Sequence, residues 1–293
     1  MMNKEQFITL LVERLKNDLG NGYEVSSDTV TKNNGVILNG IIIGKNQQQC
    51  RTIIYIDSLY DDYLNGRCLQ SIVDNMIETF YRAETEQNFD VHQEHKLFDR
   101  IRCKLINTKA NKEFLDKTPH TEFHDLSLIY YYSLDNAEDE YLKSVTIDNA
   151  IMKSINLSLD ELHRIAMKNT KEQMPGQIIG MSTLLHQMSD GLYPEDEDET
   201  MYVITNTKKI FGASAILQEE LLSDFCNSIN VNSLYIIPSS VHEMILLPCT
   251  RATSVNEINR IINEVNSTKV DAQDVLSSNC YIYNRSLHQI SVA

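Results

Sequence analysis

Several residues and motifs that mark common protein classes are scarce or missing in this sequence of 293 residues. It has no tryptophan, and its ten glycines and five prolines fall well below the roughly 12% of an average protein, which disfavours collagen-like and loop-dominated folds. It has no glycine-rich phosphate loop, so ATPase, GTPase, kinase and dehydrogenase activities of the familiar types have no support. Hydrophobic residues (42%) and charged residues (23%) occur in globular proportions, which excludes wholesale disorder.

Positive charge is also in short supply. The chain has 26 lysines and arginines against 41 aspartates and glutamates, which gives a net charge of −15. Nucleic-acid affinity depends on basic side chains that displace counterions from phosphates, and the densest basic pair here is Lys208-Lys209. The longest aliphatic runs, such as Ile41–Ile43, are too short to span a bilayer. We therefore expect no nucleic-acid partner and no membrane association.

Closely spaced cysteine pairs are missing as well. The six cysteines are 18 or more residues apart and form no C-x-x-C motif, so zinc ribbons, redox dithiols and iron–sulfur clusters have no support. The amino terminus begins an amphipathic pattern and not the unbroken apolar segment of a secretory signal. We expect a reduced, cytoplasmic protein without a cofactor. The cysteines are Cys50, Cys68, Cys103, Cys226, Cys249 and Cys280.

What the sequence does contain is clear helical and strand patterning. Apolar residues at three- and four-residue steps predict helices, and these stripes begin at Ile8, Leu69, Leu221 and Val255. The pattern Ser158-Leu159-Asp160-Glu161 is typical of a capping box at the start of a helix, and Ser254-Val255-Asn256-Glu257 has the same form. Two helix starts are therefore predicted at these serines.

Patterns typical of strands flank the pair Asn34-Gly35 and recur in the middle of the chain. Asn33-Asn34-Gly35 predicts a tight hairpin turn between strands over residues 23–31 and 36–43, because Asn-Gly readily adopts positive φ angles. The run Leu126–Leu134, rich in Ile and Tyr, predicts a buried strand that pairs with Ser144–Ile147.

In the last third of the chain we expect the order ββα-ββα-β. Met201–Thr205 is expected to pair with Gly212–Leu217, Leu234–Pro238 is expected to pair with Glu243–Leu247, and Cys280–Tyr283 forms the last strand. Short hairpins with helices grouped between them predict the α+β class, with antiparallel sheets and segregated helices.

Composition also predicts a division into domains. An N-terminal α+β domain over residues 1–175 would start αβββα and contain the central strands 126–147 and a helix over residues 158–170. Residues 176–200, which are acidic and contain methionine, would form a linker to a C-terminal α+β domain over residues 201–293.

The most specific local motif is Pro238-Ser239-Ser240-Val241-His242-Glu243. It provides the residue types of a nucleophile system, with Ser239 or Ser240 beside His242 and Glu243. Neighbours in a tight turn seldom orient three such groups in series, and serines in turns commonly cap backbone groups. We expect a structural turn and keep a hydrolase that uses these residues as an alternative.

One histidine pair has metal-ligand spacing. His120 and His124 stand at i and i+4, which would place both on one face of a helix for zinc. The residue after His120 is Thr, where zincins have Glu, and Pro119 together with the strand from Leu126 leaves little room for a helix. We expect no metal site here.

Two further features suggest contact with another protein. Tyr130 and Tyr132 share one face of their predicted strand, which fits a half-buried sheet face. If that face is exposed, it would suit a protein interface, where tyrosine is favoured. The one dense acidic run is either a solvated loop or a surface for a basic partner. The run consists of Glu195, Asp196, Glu197, Asp198 and Glu199.

Several segments together resemble a known family. They are residues 125–130, 201–206, 212–217 and 234–243, which occur here in the family's order. The chain resembles an uncharacterised family of gut clostridial proteins, domain-of-unknown-function family 5688, over nearly its full length. The resemblance implies a bacterial cytoplasmic protein, in some members apparently encoded on mobile elements, and it implies no activity, ligand or catalytic residue.

Taken together, these observations predict a protein that acts by binding, in an interaction or accessory role, and not by catalysis. Another protein is the expected partner. A hydrolase built on the 238–243 turn is the first alternative, and an acidic decoy or inhibitor of a basic partner is the second.

Overall fold

The computed structural model describes residues 2–46, 51–86, 98–134, 144–194, 196, 199–249 and 254–293. The chain forms two compact units, residues 1–92 and residues 93–293. Each unit has a hydrophobic core of its own.

The first unit combines helices with a three-stranded antiparallel sheet of order β1-β2-β3. Its strands are β1 (Tyr23–Thr31), β2 (Ile37–Lys45) and β3 (Thr52–Tyr55). Its helices are α1 (Lys4–Leu19), α2 (Asp57–Leu64) and α3 (Leu69–Glu86). The predicted hairpin is confirmed: β1 and β2 pair from Tyr23↔Lys45 to Thr31↔Ile37, and the turn places Asn34 at φ 60°.

Local sequence sets both ends of α1. The Asn3 side chain accepts a hydrogen bond from the Gln6 N–H, and the Gln6 side chain accepts one from the Asn3 N–H, so two free backbone donors are satisfied. The helix ends at Gly20, whose φ of 78° suits a residue without Cβ. The face that α1 buries is Phe7, Leu11, Leu15 and Leu19.

The described residues of the second unit form two sheets and six α-helices. Its strands are β4 (Ile101–Asn107), β5 (His120–Phe123), β6 (Leu126–Ser133), β7 (Ser144–Thr146), β8 (Gly176–Gly180), β9 (Tyr202–Asn206), β10 (Ser233–Ser240), β11 (Glu243–Pro248), β12 (Tyr281–Asn284) and β13 (Gln289–Val292). Its helices are α4 (Lys112–Leu115), α5 (Asn149–Ser154), α6 (Leu159–Gln173), α7 (Met181–Met188), α8 (Glu219–Ser228) and α9 (Val255–Thr268). Two short 3₁₀ helices cover Gly212–Leu217 and Arg285–Leu287.

One core is shared by the two sheets of this unit. The first sheet has the order β4-β6-β5, with β7 paired to β6, and the second has the order β13-β12-β10-β11-β9-β8. Buried residues of β6, such as Leu128 and Tyr130, belong to the same apolar cluster as Ile204 of β9 and Tyr281 of β12. The protein is therefore of the α+β class, as predicted. Within the described residues no helix is both long and apolar enough to cross a bilayer.

Most predicted strand pairs are confirmed, and one is wrong. β6 pairs with β7, and β10 pairs with β11, both antiparallel. Residues Gly212–Leu217 are not a strand but a 3₁₀ helix, and β9 pairs with β8 and β11 instead. The last third therefore does not have the order ββα-ββα-β. A short buried apolar run looks alike in a strand and in a packed helical turn, which is why the pattern misled.

Both predicted helix starts are confirmed, but only one of the two capping boxes forms. Ser158 accepts a hydrogen bond from the Glu161 N–H at 3.3 Å, and the Glu161 side chain accepts one from the Ser158 N–H at 3.0 Å, so this capping box is confirmed. Ser254 stands at the start of α9 without a side-chain capping bond, so the second box is wrong. The same four-residue pattern thus caps one helix and not the other.

Residues 176–200, expected to be a linker, contain β8 and α7. β8 pairs with β9 from Gly176↔Asn206 to Gly180↔Tyr202, which places this segment inside the six-stranded sheet. The division between the two compact units falls at residue 92, ahead of the predicted boundary. Independent folding of residues 1–175 and of residues 201–293 stays a prediction.

Asp125, in the turn between β5 and β6, ties the first sheet of this unit to the second. Its Oδ1 accepts the Tyr281 hydroxyl at 2.5 Å, and its Oδ2 accepts Ser277 Oγ–H at 2.7 Å and Asn279 Nδ2–H at 3.0 Å. Tyr281 is completely buried. Burial, and then the hydrogen bond to Asp125, raise the pKa of this tyrosine far above its usual value, so it remains a donor.

We expect Asp125→Ala to lower the free energy of unfolding by about 3 kcal/mol, because it leaves the buried Tyr281 hydroxyl without an acceptor. Tyr281→Phe should cost less, about 1.5 kcal/mol, because it removes the group that needs a partner. Urea unfolding of both single variants and the double variant measures the coupling. The double variant should lose less than the sum of the singles, and strict additivity would rule out the junction.

Candidate functional site

The structure places the 238–243 motif in the tight turn between β10 and β11. Ser239 Oγ donates to the Glu243 carbonyl oxygen at 3.0 Å, across a bulge in the β10–β11 pairing. Ser240 Oγ accepts the His242 backbone N–H at 3.0 Å. Both serines therefore bond to the backbone of the turn, which is the structural role expected from the sequence.

The His242 imidazole points to two groups outside the turn. Its Nδ1 accepts the Phe211 backbone N–H at 3.2 Å, and its Nε2 lies 3.6 Å from Asp274 Oδ1. This arrangement places the imidazole hydrogen on Nε2, facing the carboxylate. Val241 N–H donates to the Asp274 carbonyl at 2.9 Å, which holds the Asp274 segment beside the turn.

The loop that carries Phe211 is held in an uncommon conformation. Lys209 and Phe211 have φ angles of 55° and 53°, which bulky side chains seldom adopt. The buried Asn206 side chain fixes the loop: Oδ1 accepts the Lys208 N–H at 3.0 Å, and Nδ2 donates to the Ile210 carbonyl at 2.8 Å. One amide side chain thus replaces the hydrogen bonds that a regular turn would make.

Ring contacts complete the surroundings of His242. The Phe211 ring stacks on the imidazole, with centroids 5.6 Å apart and planes inclined by 10°. Lys104 Nζ lies 3.9 Å from the centre of the same phenyl ring, and Tyr131 meets it edge-on at 5.7 Å. The imidazole is therefore packed against a ring on one side. Its Nδ1 accepts a hydrogen bond, and its Nε2 faces the Asp274 carboxylate.

This geometry brings His242 to an acid, but not to a nucleophile. The acid is Asp274 from a later segment, while the predicted partner Glu243 contributes only its backbone oxygen to the described contacts. Among the described residues, no hydrogen bond joins Ser239 or Ser240 Oγ to the imidazole. Because Nδ1 is already an acceptor for Phe211, the arrangement shown fixes the turn and does not activate a serine.

The two histidines with metal spacing do not share a helix. His120 opens strand β5, and its Nδ1 contacts the Thr118 carbonyl at 2.8 Å. His124 lies in the next turn at φ 57°, and its Nε2 contacts the Ile290 carbonyl at 3.1 Å. Across the part of the chain that the structure describes, no three histidine, cysteine, aspartate or glutamate side chains gather in a way that could hold a metal ion.

Tyr130 and Tyr132 are buried, so the expectation of an exposed tyrosine face on β6 is wrong. Every residue of β6 is buried, because α6 and neighbouring strands cover the strand. The Tyr130 hydroxyl bonds to Thr121 Oγ1 at 2.6 Å and to His163 Nδ1 at 3.0 Å. Burial raises the pKa of Tyr130 to about 12, although the bond from Thr121 acts against it.

The structure describes only Asp196 and Glu199 of the acidic run. Glu195, Glu197 and Asp198 lie outside the described residues, and Asp196 donates its backbone N–H to Ser182 Oγ at 3.0 Å. Glu199 follows helix α7 in sequence and caps the N-terminus of that helix. Its Oε2 accepts the Ser182 N–H at 2.8 Å and Ser182 Oγ–H at 2.7 Å, and its Oε1 accepts the Met201 N–H at 3.2 Å.

The electrostatic state of Glu199 follows from these bonds. Partial burial disfavours the charged carboxylate, but the hydrogen bonds from Ser182 and then Met201 outweigh it and hold the pKa of Glu199 below its usual value. A negative charge at a helix N-terminus is also favourable. Glu199 is therefore a structural cap of α7 and not part of a solvated acidic loop.

Helix α7 and the turn after it expose four large apolar side chains, which we call the α7 apolar surface: Leu185, Met188, Leu192 and Tyr193. Their exposed fractions are 43%, 76%, 86% and 59%. Leu185 and Met188 are three residues apart and so share a helix face.

The turn that carries Leu192 and Tyr193 is folded back on α7. The Tyr193 N–H donates to Ser189 Oγ at 3.1 Å, and the Tyr193 carbonyl contacts His186 Nδ1 at 2.7 Å. Two hydrogen bonds therefore fix the backbone of Tyr193 to the C-terminal end of α7.

Sequence reasoning missed the partners of His242 and the α7 apolar surface. Asp274 and Phe211 come from segments distant in sequence, so no local pattern could pair them with the imidazole. The α7 apolar surface did leave a signal, because Leu192 and Tyr193 stand in a polar stretch where no core was expected. Their apolar character could have been taken as a surface feature.

The fold and these contacts define an α+β protein with an ordered apolar surface. The chain belongs to a family of unknown function, DUF5688, whose model matches residues 4–285. No curated protein and no solved structure matches the chain.

Gly212→Ala should destabilise the second unit by about 3 kcal/mol, because the loop and the 240–243 turn leave no room for a Cβ. That atom would lie 2.2 Å from Thr205 Oγ1 and 2.5 Å from the His242 carbonyl oxygen. Gly22→Ala is the control, since a Cβ there meets nothing within 4 Å. Urea unfolding should separate the two variants, and equal stability would contradict the close approach.

Glu199→Gln should weaken the α7 cap by about 1 kcal/mol at neutral pH. Because the folded-state pKa is lowered, the stabilisation is present above the pKa of the unfolded chain and is lost as the pH falls through the folded value. Hydrogen-exchange protection of the α7 amides should fall about fivefold in the variant near neutrality, and the difference should vanish in acid.

Asp190→Asn provides the matched control for this measurement. It removes one negative charge from the same segment, and its φ of 50° is one that Asn tolerates well. Protection of the α7 amides should be unchanged. A loss in the control as large as that in Glu199→Gln would assign the effect to net charge and not to the cap.

Proposed function

We infer that this protein acts by binding another protein through the α7 apolar surface. The observation that carries the proposal is the exposure of Leu185, Met188, Leu192 and Tyr193 within one ordered segment. Single exposed apolar residues are ordinary, but a group of large ones on one surface marks sites of interaction. The proposed role is an interaction or accessory role.

The ordered conformation of the α7 segment supports the proposed binding role. The Glu199 cap and the Met181 N–H, which donates to the Met201 carbonyl at 2.9 Å, hold both ends of the segment against the sheet. A surface that is already ordered loses little conformational entropy when a partner binds. Met188 adds an adaptable side chain, which suits an interface that must fit a partner closely.

Charge indicates which partner would fit. The sequence after Tyr193 continues through Pro194 into four acidic residues, 195–198, and the whole chain carries a net charge of −15. An apolar surface on a chain of net negative charge complements a basic segment with an apolar face. The proposed partner is therefore a protein that presents a basic, amphipathic helix, and the decoy alternative becomes a special case of this binding.

The proposed compartment is the cytoplasm. Five cysteines are described, and all are free. Burial raises the pKa of Cys103 to about 11 and that of Cys280 to about 12, so these thiols stay protonated and unreactive. Free, buried thiols suit a reducing compartment.

The hydrolase alternative has less support. The serines of the 238–243 turn bond to backbone atoms, and His242 is engaged by Phe211 and Asp274. No described contact favours catalysis there.

Binding can be tested with a short amphipathic helical peptide of leucine and lysine, followed by fluorescence anisotropy. The full chain should bind it, and Met188→Glu/Leu192→Glu should weaken binding by at least about tenfold, since central apolar contacts carry most interface energy. Ile37→Glu is the matched control, because Ile37 is 64% exposed in the first unit. It should leave binding unchanged.

Two comparisons separate the components of the proposal. A peptide of leucine and glutamate should bind much more weakly, and added salt should weaken the lysine peptide steeply. Equal binding of the two peptides would refute the choice of a basic partner. Unchanged affinity in Met188→Glu/Leu192→Glu, or a homodimer that this variant loses in sedimentation, would refute the proposed use of the surface.

A further inference from the structure

A second feature of the second unit, distant in sequence from α7, is a cavity of about 170 Å³ between α8 and the β12–β13 edge of the six-stranded sheet. Most of its wall is hydrocarbon. The apolar residues that line it are Phe123, Ile216, Leu217, Leu222 and Ile290. Leu222 and Ile216 are buried, so the floor of the cavity belongs to the core.

The polar side chains of the cavity converge on one carboxylate. Glu219 Oε1 accepts the Tyr283 hydroxyl at 2.6 Å and the His288 Nδ1–H at 2.6 Å. The bond from Tyr283, and then that from His288, hold the pKa of Glu219 below its usual value, so the group is ionised at neutral pH. Among the described residues, no donor reaches Glu219 Oε2.

The backbone holds this group of three side chains in place. Tyr283 lies on β12 opposite Ile290 of β13, so the sheet fixes both the hydroxyl and one apolar wall. His288 closes the turn between these strands at φ 49°, an uncommon conformation for a residue with a side chain. Glu219 is the first residue of α8, where a negative charge favours the helix.

Accessibility and chemistry together define a ligand class. The Glu219 side chain is 41% exposed, so its second oxygen can be reached from solvent. A cavity with hydrocarbon walls and one ionised carboxylate with a free oxygen complements a molecule with a cationic N–H donor at one end and a short apolar body. An anion would meet Glu219 with like charge, and a purely apolar molecule would supply no donor to Glu219 Oε2.

We propose that this cavity binds a small organic ammonium ion, with the ammonium group on Glu219 Oε2 and the hydrocarbon body against Leu217, Leu222 and Ile290. The size of the cavity sets the size of the ligand. A cavity of ~150 Å³ admits a molecule as large as benzene, so a branched amine of about the same number of heavy atoms fits the space. This site is independent of the binding proposed for the α7 apolar surface.

The probe for the test is 3-methylbutylammonium, titrated against the full chain by NMR or calorimetry. Two molecules with the same carbon skeleton isolate the role of charge: 3-methylbutan-1-ol, which is neutral, and 3-methylbutanoate, which is an anion. The ammonium ion should bind at least about tenfold more tightly than the alcohol, because a charge-assisted hydrogen bond to a carboxylate is stronger than a neutral one. The anion should not bind.

Three variants locate the site. Glu219→Gln keeps an oxygen acceptor for Tyr283 and His288 but removes the charge, and it should weaken the ammonium ion by at least about tenfold. Ile290→Phe fills the cavity from a half-buried position on an edge strand and should abolish binding without unfolding the chain, which circular dichroism checks. Glu220→Gln is the matched control: Glu220 is the neighbouring carboxylate, 76% exposed and paired with Lys171, and its loss should change nothing.

The expected pattern is binding of the ammonium ion that depends on Glu219 and on the open cavity, and not on Glu220. Absence of ammonium binding to the wild-type chain would overturn the proposal. So would equal affinity for the alcohol, binding of the carboxylate, or full affinity in Glu219→Gln or in folded Ile290→Phe.

Discussion

Three donors, two from the loop before β12 and one from β12 itself, converge on the carboxylate of Asp125, and the second unit depends on that junction. The turn between β5 and β6 belongs to one sheet, while Tyr281 and the residues before it lead into the other. Because the tyrosine is buried, the Asp125 side chain supplies an acceptor that water cannot. The same loop carries Asp274 to the His242 imidazole, so the arrangement around that histidine depends on where Asp125 holds the loop.

The contacts around His242 show the structural role of the 238–243 motif. A turn rich in hydroxyl, imidazole and carboxylate groups has the composition of a catalytic site, yet its serines and its histidine bond to backbone groups of the turn and of the Phe211 loop. The bond to His242 holds the left-handed Phe211, and the buried Asn206 side chain holds the residues before it. Catalytic residue types in close sequence are therefore weak indicators when all of them have structural partners.

The fold could be predicted further than the site. The β1–β2 hairpin, the β6–β7 and β10–β11 pairs and the Ser158 cap depend on neighbours in sequence, and they are confirmed. The 3₁₀ helix at Gly212 depends on space: Thr205 and the 240–243 turn approach so closely that only glycine fits, and no local pattern reports that distance. Burial of Tyr130 likewise depends on what covers β6. The cavity at Glu219 is assembled from three separate segments, which sequence spacing cannot bring together.

The segment that contains α7 leaves the sheet and returns to it at one pair of residues, because Gly180 of β8 lies opposite Tyr202 of β9. Residues 181–201 therefore form the long tip of a hairpin whose base is complete without them. A different tip of another length and chemistry could be inserted there without any shift in the pairing of β8 with β9. Related chains are free to diversify this part of their surface while the framework beneath it stays the same, much as variable loops do on a constant scaffold.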